Sequence, residues 1–457
     1  MTFQRKYVLW LGCLFLWSLG TGLACQTAPP TETTKEPVAD SNGNKEVTPD
    51  ASFNEPTPDQ STDKTPIDTD NGDKPIKTSI TFYKDVQPLL QKHCQNCHFK
   101  GGVAPFGLST YEEVKAQAAS IQWSVANRRM PPWMPDDQCV PLKHSRRLSD
   151  NEIKTITEWV KGGSPAGDIK DQKPYTPTTD SLAWTSVELS MQKPYTPPFK
   201  GGSDDYHCFL TKAALTKNQE LTGFQFIPGA KPIVHHVLIY SVSGSYAKQL
   251  AGKHKDAHWP CFTGQLLGQG GSKLLGVFVP GTDVVRFPEN TGIPMKAGEH
   301  RVMEVHYNRS TLKTIPADQS KIRLKFAKTP VKYKMNVQLM VQLALNVPPG
   351  AKNHRVTTSI NVPTNVKVWG FMPHMHKFGT KVDLQMTRGG NKTCMTNVPR
   401  WDYNWQQTFF FDKPLDFKKG DKVQLNCFYN NTTNKPLRWG DRTEDEMCVN
   451  FFFVSAP

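Results

Sequence analysis

Residues 368–379 have the sequence VWGFMPHMHKFG, which combines strand-forming residues with two closely spaced histidines. Its β-branched and aromatic residues predict a strand that leads into a histidine, a methionine and a second histidine. Side chains two positions apart lie on the same face of an extended chain. His374 and His376 can therefore bind one metal ion through two imidazole nitrogens, and one more soft donor would make the site prefer copper. Such a pair is also common among unrelated surface histidines, so its weight depends on the rest of the chain.

The N-terminus has the pattern of a bacterial export signal. Arg5 and Lys6 precede an apolar run at 7–19 that is too short for an ordinary membrane-spanning helix. The small residue before Cys25 resembles a lipobox, in which the cysteine becomes lipidated; a plain cleaved signal with an incidental Cys25 is the alternative. We therefore expect residues 1–25 to be a lipoprotein signal. The chain would be exported to the periplasm or to the outer membrane and cell surface, with a lipid anchor as its contact with the membrane.

Residues 26–78 contain almost no large apolar side chains, so we expect a disordered linker that cannot bury enough surface to fold. This segment has five lysines against eleven acidic residues, a net charge of −6, whereas the whole chain carries +14 and the remainder therefore +20. A basic body of this kind suits anionic small molecules, acidic redox partners or phospholipid head groups. No basic run is interleaved with aromatic residues, so no binding to nucleic acid is expected.

Residues 79–170 have helical periodicity and are expected to form a small all-α domain. The predicted helices are Phe82–His93, a second that a capping box at Ser109–Glu112 opens and that runs through Trp123, and a third that opens at Ser149–Glu152 and stops at Gly162–Gly163.

Cys94, Cys97 and His98 form a C-x-x-C-H motif after the first of these helices. This is the attachment pattern of c-type haem, in which both thiols bond the vinyl groups and the histidine becomes an iron ligand. A zinc site would need a second Cys/His cluster close by, and a thioredoxin-like redox pair would need a βαβ context. Residues 79–170 thus resemble a small class I cytochrome c domain with one covalently bound haem c.

The sixth iron ligand of such a domain should be a soft sulfur if the domain carries electrons, because Met/His ligation raises the reduction potential. Met130, which precedes two prolines, is the first choice. Met134 is the second choice and His144 a distant third.

From residue 180 to the C-terminus, alternating strands separated by Pro, Gly and Asn turns replace the helices. The predicted strands are Ile233–Tyr240, Lys273–Val279, His300–Tyr307, Lys321–Phe326, Lys381–Met386, Lys422–Tyr429 and Cys448–Val454. Strands at this spacing indicate antiparallel, jelly-roll-like β-sandwiches. Because the segment is longer than one sandwich needs, we predict two in tandem, at 171–329 and 330–457, with the boundary near Thr329–Pro330.

Further candidate ligands lie in both sandwiches. His235 and His236 are adjacent in an apolar strand, where neighbouring side chains diverge. Both can reach one ion only through a local twist or by using different ring nitrogens. His306 ends another strand, and Met447 precedes the last one. Each of these residues alone is more typical of structure than of a metal ligand.

Together and in this order, HH at 235–236, HYN at 306–308, HMH at 374–376 and EMC at 446–448 resemble the ligand set of the type II copper, ascorbate-dependent monooxygenases. Peptidylglycine α-hydroxylating monooxygenase and dopamine β-monooxygenase are members of that family. The resemblance covers about residues 200–457. It implies two copper ions in separate centres, one in each sandwich. His235, His236 and His306 would hold the electron-transfer copper, and His374, His376 and Met447 the catalytic copper that binds O2.

The same resemblance implies a reaction and two disulfides. The family inserts one oxygen atom of O2 into a substrate C–H bond, which needs two electrons per turnover. The implied disulfides are Cys208 with Cys261, and Cys427 with Cys448, which would brace the methionine ligand. An exported protein should pair its cysteines, and Cys139 and Cys394 are left over. An interdomain bridge between those two and a pair of separate thiols both remain open.

Some positions depart from the peptide-amidating member of the family. Met372 and Phe451 stand where that enzyme has an arginine and a tyrosine that handle a substrate carboxylate. Peptide amidation is therefore doubtful, and a more apolar or aromatic substrate is expected. Glu304 stands where that enzyme has glutamine, and the sequence does not indicate what this change does.

These features predict an exported copper monooxygenase fused to its own haem electron donor. Its partners would be O2, a small-molecule substrate, and ascorbate or a periplasmic donor as reductant. Electrons from the haem would reach the His235 copper first and the His374 copper second. The alternatives are a surface protein that transfers electrons or binds copper without catalysis and, more remotely, a copper sensor or adhesion module.

Overall fold

The computed structural model describes residues 79–95, 97–99, 104, 106–174, 186–199, 202–212, 214–279, 282, 284–309 and 312–457. Residues 75–457 belong to one unit of the chain. The predicted signal with its Cys25 and the predicted linker at 26–78 lie outside the described residues. Of the helices in the described part, none is long and apolar enough to cross a membrane.

The helices lie mainly before residue 162. They are a π-helical turn at Phe82–Val86 that continues into α1 (Gln87–His93), then α2 (Tyr111–Ala116), α3 (Ala118–Ala126), α4 (Asp150–Lys161) and α5 (Gly244–Lys253), with short 3₁₀ turns at Ile169–Asp171 and Tyr403–Trp405. The first and third predicted helices are confirmed, and the latter begins with a capping box between Ser149 and Glu152.

The second predicted helix is two helices, α2 and α3, because the backbone leaves the helical region at Gln117. Its capping box joins Thr110 and Glu113 rather than Ser109 and Glu112. Thr110 is extended, its side chain accepts from the backbone of Glu113, and the Glu113 carboxylate accepts from the Thr110 amide at 3.2 Å. The capping box therefore lies one residue later than predicted.

The helical segment has a hydrophobic core of its own. Phe82, Leu90, Ile156 and Trp159 are buried in it, and the rings of Phe82 and Trp159 lie 6.1 Å apart. The turn before α1 and the helix α4 therefore pack against each other. That this segment is a cytochrome c-like domain stays a prediction.

The rest of the described chain is mostly β-sheet, which confirms the predicted β-sandwich architecture. In chain order the strands are β1 (Val187–Ser190), β2 (Asp204–Leu210), β3 (Gln219–Ile227), β4 (Val234–Val242), β5 (His258–Pro260), β6 (Lys273–Phe278), β7 (Val284–Arg286), β8 (Thr291–Met295), β9 (His300–Asn308), β10 (Lys321–Phe326), β11 (Tyr333–Val341), β12 (Asn346–Val347), β13 (His354–Asn361), β14 (Val366–His374), β15 (Gly379–Arg388), β16 (Asn391–Val398), β17 (Phe409–Phe417), β18 (Lys422–Tyr429), β19 (Leu437–Arg438) and β20 (Val449–Ser455).

Each half of the β region has two large sheets with a core between them, and the second half also has the two-stranded sheet β12-β19. In the first half, the sheet β5-β2-β9-β4-β6 packs against β1-β10-β3-β8, with β7 on β3. In the second half, β13-β18-β15-β16 packs against β11-β20-β14-β17. Strands β8 and β11 pair in parallel, so one nine-stranded sheet runs through both halves. The predicted boundary at Thr329–Pro330 falls between β10 and β11, and the division into separate domains stays a prediction.

The two central strands of the sheet β11-β20-β14-β17, β20 and β14, are buried on both faces. Phe371 and Phe452 point into the core of the second half, whereas Met372 and Phe451 pack against residues of the first half. Strand β20 is therefore an almost continuous apolar run rather than an alternating one, as expected for a doubly covered strand. Each large apolar side chain buried in this way contributes about 1.5–3 kcal/mol. The two halves are held together by this shared interior.

Residues 130–143, the docking segment, connect α3 and α4 and lie on the second half of the β region. Leu142 forms an antiparallel bridge with Phe411. Cys139 is disulfide-bonded to Cys394, so of the two possibilities left open by the sequence, the structure has the bridge. The two disulfides implied by the family resemblance, Cys208 with Cys261 and Cys427 with Cys448, are also present.

Candidate metal centre

Three histidines of the first half converge because strand β4 contains a bulge. In the pairing of β4 with β9, the register shifts between Val234 and His236, and His235 is the extra residue. A bulge re-aims the side chain of the inserted residue, so the rings of two adjacent histidines can face the same side. His236 lies directly opposite His306 on β9. Of the two ways in which adjacent histidines could share an ion, the structure uses the local distortion.

The three rings present the same nitrogen to a common centre. The Nδ1 atoms of His235 and His236 are 3.2 Å apart, those of His235 and His306 3.3 Å, and those of His236 and His306 3.2 Å. A point at the centre of this triangle is about 1.9 Å from each nitrogen, close to the ~2.0–2.1 Å of an imidazole–metal bond. Within the described residues, these three side chains are a group of potential metal ligands. The donor set fits a copper ion.

Two residues of β2 fix the ring of His306. The Nε2 atom of His306 lies 2.9 Å from an Asp204 carboxylate oxygen, which leaves Nδ1 for the centre. The Tyr206 ring stacks on His306 at 4.1 Å with an interplanar angle of 5°. Burial raises the pKa of Asp204, but hydrogen bonds from His306 and other groups outweigh it, so this pKa lies below its ordinary value. Asp204 is therefore an ionised carboxylate that orients one ligand.

Burial keeps the site histidines neutral, as metal ligation requires. It lowers the pKa of His235 to about 3, with a further contribution from His306 and His376. Burial likewise lowers the pKa of His374 to about 3 and that of His376 to about 4.

His374 and His376 lie on one side of the chain, as the spacing predicts. His374 ends β14, and the side chain of Met375 between them is fully buried in the core of the second half. The Nδ1 of His374 lies 2.7 Å from Oε1 of Gln406, and the Nδ1 of His376 lies 2.9 Å from the Asp445 carbonyl oxygen. Both rings are thereby fixed through Nδ1, which leaves Nε2 of each for a metal ion.

The two groups of histidines share one pocket, which differs from the prediction of separate centres inside separate sandwiches. The pocket is lined by His235, His236, His306, His374, His376, Tyr403, Gln406 and Thr443. The rings of His236 and His374 are only 5.8 Å apart. Met372 of β14 and Phe451 of β20 share one apolar cluster with residues of β2, β4, β6 and β9, so the two halves of the β region pack together beside the pocket.

The backbone of Met447 lies near this pocket, but its side chain does not line it. Its side chain is 2% exposed and packs in the apolar contact between the two halves, with Met372 and Phe451. Its carbonyl oxygen accepts from the Tyr429 hydroxyl at 2.9 Å. The assignment of Met447 as a ligand stays a prediction.

Glu446 links the backbone next to Met447 to the backbone at His376 and Phe378 by hydrogen bonds. Its carboxylate accepts from the amides of His376 at 2.9 Å, Phe378 at 2.7 Å and Met447 at 3.3 Å. Burial raises the pKa of Glu446 to about 8, against the lowering effect of these amides. Sequence reasoning missed Glu446, Asp204 and Gln406, because an acid or amide next to a ligand has no pattern that distinguishes it from a surface residue.

The C-x-x-C-H motif follows α1, and its attachment to a haem stays a prediction. Burial raises the pKa of the Cys94 thiol to about 12, and Cys97 adds to the shift. Nδ1 of His98 lies 3.2 Å from the Phe106 carbonyl oxygen, so Nε2 is the nitrogen left for an iron ion.

The candidates for the sixth iron ligand differ in their surroundings. Met134 Sδ accepts a hydrogen bond from the Asp402 amide at 3.3 Å, so its sulfur is already engaged with the second half of the β region. Met130 lines a cleft beside Val125 and Trp133. His144 is exposed. These positions favour Met130, which remains a prediction.

The residues that depart from the amidating enzyme are buried away from the pocket. Met372 on β14 and Phe451 on β20 are direct register partners, and both lie in the apolar contact between the halves. Glu304 is 1% exposed and accepts from the Gly264 amide at 2.9 Å. Burial raises its pKa to about 8.

Comparison with known proteins finds similarity in the β region of the chain. Residues 334–454 match the family described as "Copper type II ascorbate-dependent monooxygenase, C-terminal domain". DBH-like monooxygenase protein 1 of Gallus gallus is 22% identical over 238 residues, which are 48% of this chain and 38% of that protein. The human protein of the same name is 22% identical over 242 residues, 49% of this chain and 39% of that protein.

Putative DBH-like monooxygenase protein 2 of Homo sapiens is 24% identical over 274 residues, which are 55% of this chain and 50% of that protein. The chain thus spans about two fifths to one half of the length of these curated relatives. Among solved structures, the major capsid protein P2 from bacteriophage PM2 covers 59% of this chain at 9% identity, with a TM-score of 0.25 that is too low to support an argument. Residues 334–454, which contain His374, His376 and Met447, are therefore similar to the C-terminal domain of the copper type II, ascorbate-dependent monooxygenases.

Proposed function

We propose that this protein is a copper-dependent monooxygenase that inserts one oxygen atom of O2 into a C–H bond of a small molecule. The observation that supports this most strongly is the pocket with five histidines, four of them buried. Three of them converge through Nδ1, and the other two have Nδ1 fixed by hydrogen bonds. The similarity of residues 334–454 to the monooxygenase family supports the same function.

His235, His236 and His306 would hold one copper ion, and His374 and His376, with Met447, the other. When bound, copper would supply one-electron redox chemistry and a coordination position for O2, and a haem attached at the C-x-x-C-H motif would supply stored electrons. The chain itself orients the rings: Asp204 holds His306, and Gln406 holds His374. Burial lowers the pKa of each of the five imidazoles, which keeps the rings neutral.

The haem would be attached through Cys94 and Cys97, with His98 and Met130 as iron ligands. We further propose that the chain is exported and lipid-anchored through Cys25, and that its reductant is ascorbate or a periplasmic electron donor. The disulfides support an oxidising location, because such bonds persist outside the cytoplasm.

The substrate would be an apolar or aromatic small molecule rather than a peptide carboxylate. The positions that would carry an arginine and a tyrosine for a carboxylate are Met372 and Phe451, and both are buried in apolar contact. Neither side chain can provide charge-assisted hydrogen bonds to a carboxylate.

The experiment is to incubate reduced, copper-loaded protein with a wide panel of candidate substrates and to measure O2 uptake. We expect uptake that depends on substrate and that Met447→Ala strongly reduces. Met372→Ala is the matched control, because Met372 is buried in the same apolar cluster. If no panel member stimulates uptake and Met447→Ala behaves like the wild type, the protein is not this enzyme.

A second candidate function is electron transfer or copper binding without hydroxylation. The observation that favours it is the close packing of the site, with His236 and His374 5.8 Å apart between ring centres. Such a protein should be reduced and reoxidised without consuming O2 in a substrate-coupled way. The same O2 measurement therefore separates the two functions.

A further inference from the structure

The segment 402–407, which we call the bridging segment, contacts both the docking segment and the histidine pocket. It contains a 3₁₀ turn that Asp402 caps through its side chain. On one side, the Asp402 amide donates to Met134 Sδ at 3.3 Å, and Gln407 Nε2 donates to the Pro132 carbonyl oxygen at 2.8 Å. Both acceptors belong to the docking segment, which begins at the predicted iron ligand Met130.

The other side of the bridging segment reaches both groups of histidines. Gln406 Oε1 lies 2.7 Å from Nδ1 of His374, and the Tyr403 ring lies 5.5 Å from the ring of His235. Gln406 and Tyr403 are also joined, because Gln406 Nε2 donates to the Tyr403 carbonyl oxygen at 2.9 Å.

The two adjacent glutamines are the central feature of this connection. Gln406 is 1% exposed and Gln407 is 6% exposed, and burial of an amide is costly unless it is hydrogen-bonded. Their side chains bond in different directions, one to a site histidine and the other to the docking segment. A continuous chain of covalent and hydrogen bonds therefore runs from Pro132 through the two glutamines to His374.

We propose that the bridging segment is the internal route for electrons between the haem and the histidine pocket, a role that rests on the proposed function. One electron leaves the ferrous haem iron, which becomes ferric, and reduces one cupric ion to the cuprous state. No bond is broken and no proton is required. The route has two branches, through Gln407 and Gln406 to His374, and through Asp402 and Tyr403 to His235. Electrons can thus enter at either histidine group, rather than at the His235 group first.

The test uses the full chain with haem attached and copper bound, under anaerobic conditions. Pulse radiolysis places one electron on the haem, and the decay of its reduced absorbance gives the rate of internal transfer. Loss of the cupric EPR signal gives the rate of arrival. The variants are Gln407→Leu, which removes the bond to Pro132, and Tyr403→Leu, which removes the ring beside His235.

Arg400→Gln is the matched control. Arg400 donates to the carbonyl oxygens of Asn127 at 3.3 Å and Arg128 at 2.9 Å, so it contacts the helical segment without touching the pocket. We expect each test variant to slow internal transfer several-fold and the double variant to slow it further. Arg400→Gln should keep the wild-type rate, and Tyr403→Phe, which keeps the ring, should restore it.

Transfer at the wild-type rate in the double variant, with haem and copper fully loaded, overturns the proposal. An altered cupric EPR spectrum at rest with an unchanged rate also overturns it, since the variants then act on the ligands alone. The haem and copper content of the wild type is measured first, so that failure of the proposed function can be told apart from failure of the electron route. A chain that takes up neither group refutes the proposed function itself.

Discussion

Asp204→Asn is the substitution that most directly tests the three-histidine centre. In the wild type, one Asp204 oxygen lies 2.9 Å from His306 Nε2 and also accepts from Asn308 at 2.7 Å and from the Thr443 hydroxyl at 3.0 Å. Asparagine has nearly the same shape and retains one oxygen acceptor. The change therefore removes the negative charge while the ring of His306 keeps a hydrogen-bond partner.

The expected loss of copper affinity can be estimated from the kind of contact that is lost. Partners that orient a ligating histidine typically contribute about 10- to 100-fold in metal affinity. This range corresponds to about 1.4–2.8 kcal/mol. Asp204 is mostly buried and its pKa lies below the ordinary value, so the full charge is present at neutral pH. The binding of Cu(II) should weaken more than that of Cu(I), because the dication gains more from a nearby carboxylate.

Competition with a chelator of known affinity, under aerobic and anaerobic conditions, measures both oxidation states. Asp205→Asn is the control, since Asp205 is the next residue on β2 and bonds to the Tyr195 hydroxyl at 2.9 Å instead of to a site histidine. Its copper affinity should stay close to that of the wild type. Equal Cu(II) affinity in Asp204→Asn and the wild type, with both proteins folded by circular dichroism, would refute the assigned role of the carboxylate.

Three further substitutions have definite expected outcomes. Glu446→Gln places an amide nitrogen among three backbone amides and should cost about 1–3 kcal/mol in urea unfolding at pH 4.5 or below. The cost should shrink as the pH rises from 4.5 towards about 8, because the buried Glu446, unlike glutamine, must then take up a proton on folding; an unchanged midpoint at the lower pH would contradict this. Glu152→Gln removes the capping carboxylate of α4, where hydrogen bonds from Ser149 and His93, against the raising effect of burial, lower the pKa to about 2. Loss of this carboxylate should lower the free energy of unfolding by about 1 kcal/mol above pH 5. The difference from the wild type should shrink as the pH falls from the ordinary value of 4.5 towards about 2, because both proteins are then neutral at this position. The double variant Cys139→Ala/Cys394→Ala opens a link between residues 255 apart and should make the docking segment cleavable by protease, whereas equal resistance would show that the hydrogen bonds alone hold it.

The local geometry of the ligands was predictable because it depends on the period of a strand. The i, i+2 spacing placed His374 and His376 on one face, and the alternation placed Met375 in the opposite core. The adjacency of His235 and His236 required a distortion, and the structure has a bulge there. In both cases a few neighbouring residues determine the result, so the sequence contains the information.

The partners of the ligands could not be predicted, because they come from distant parts of the chain. Asp204 is 102 positions from His306, Glu446 is 70 from His376, and Gln406 is 32 from His374. Which of many acids and amides meets a given histidine depends on how the sheets are stacked. The same reason explains the missed proximity of the two histidine groups, which follows from the burial of β14 and β20 on both faces and from the parallel pairing of β8 with β11.

The position of the pocket also limits how it can be reached from solvent. Five of its eight lining residues are the histidines, which lie on or next to paired strands. A sixth is Gln406, which is buried. Tyr403 and Thr443 are the half-buried members that lie on loops, and Thr443 is held by hydrogen bonds to Asp204. Together with His235 they are the lining residues that are partly exposed, so a substrate approaches the pocket past these side chains. Because Tyr403 belongs to the segment that Met134 and Pro132 hold in place, access to the pocket and attachment of the helical segment depend on the same few contacts.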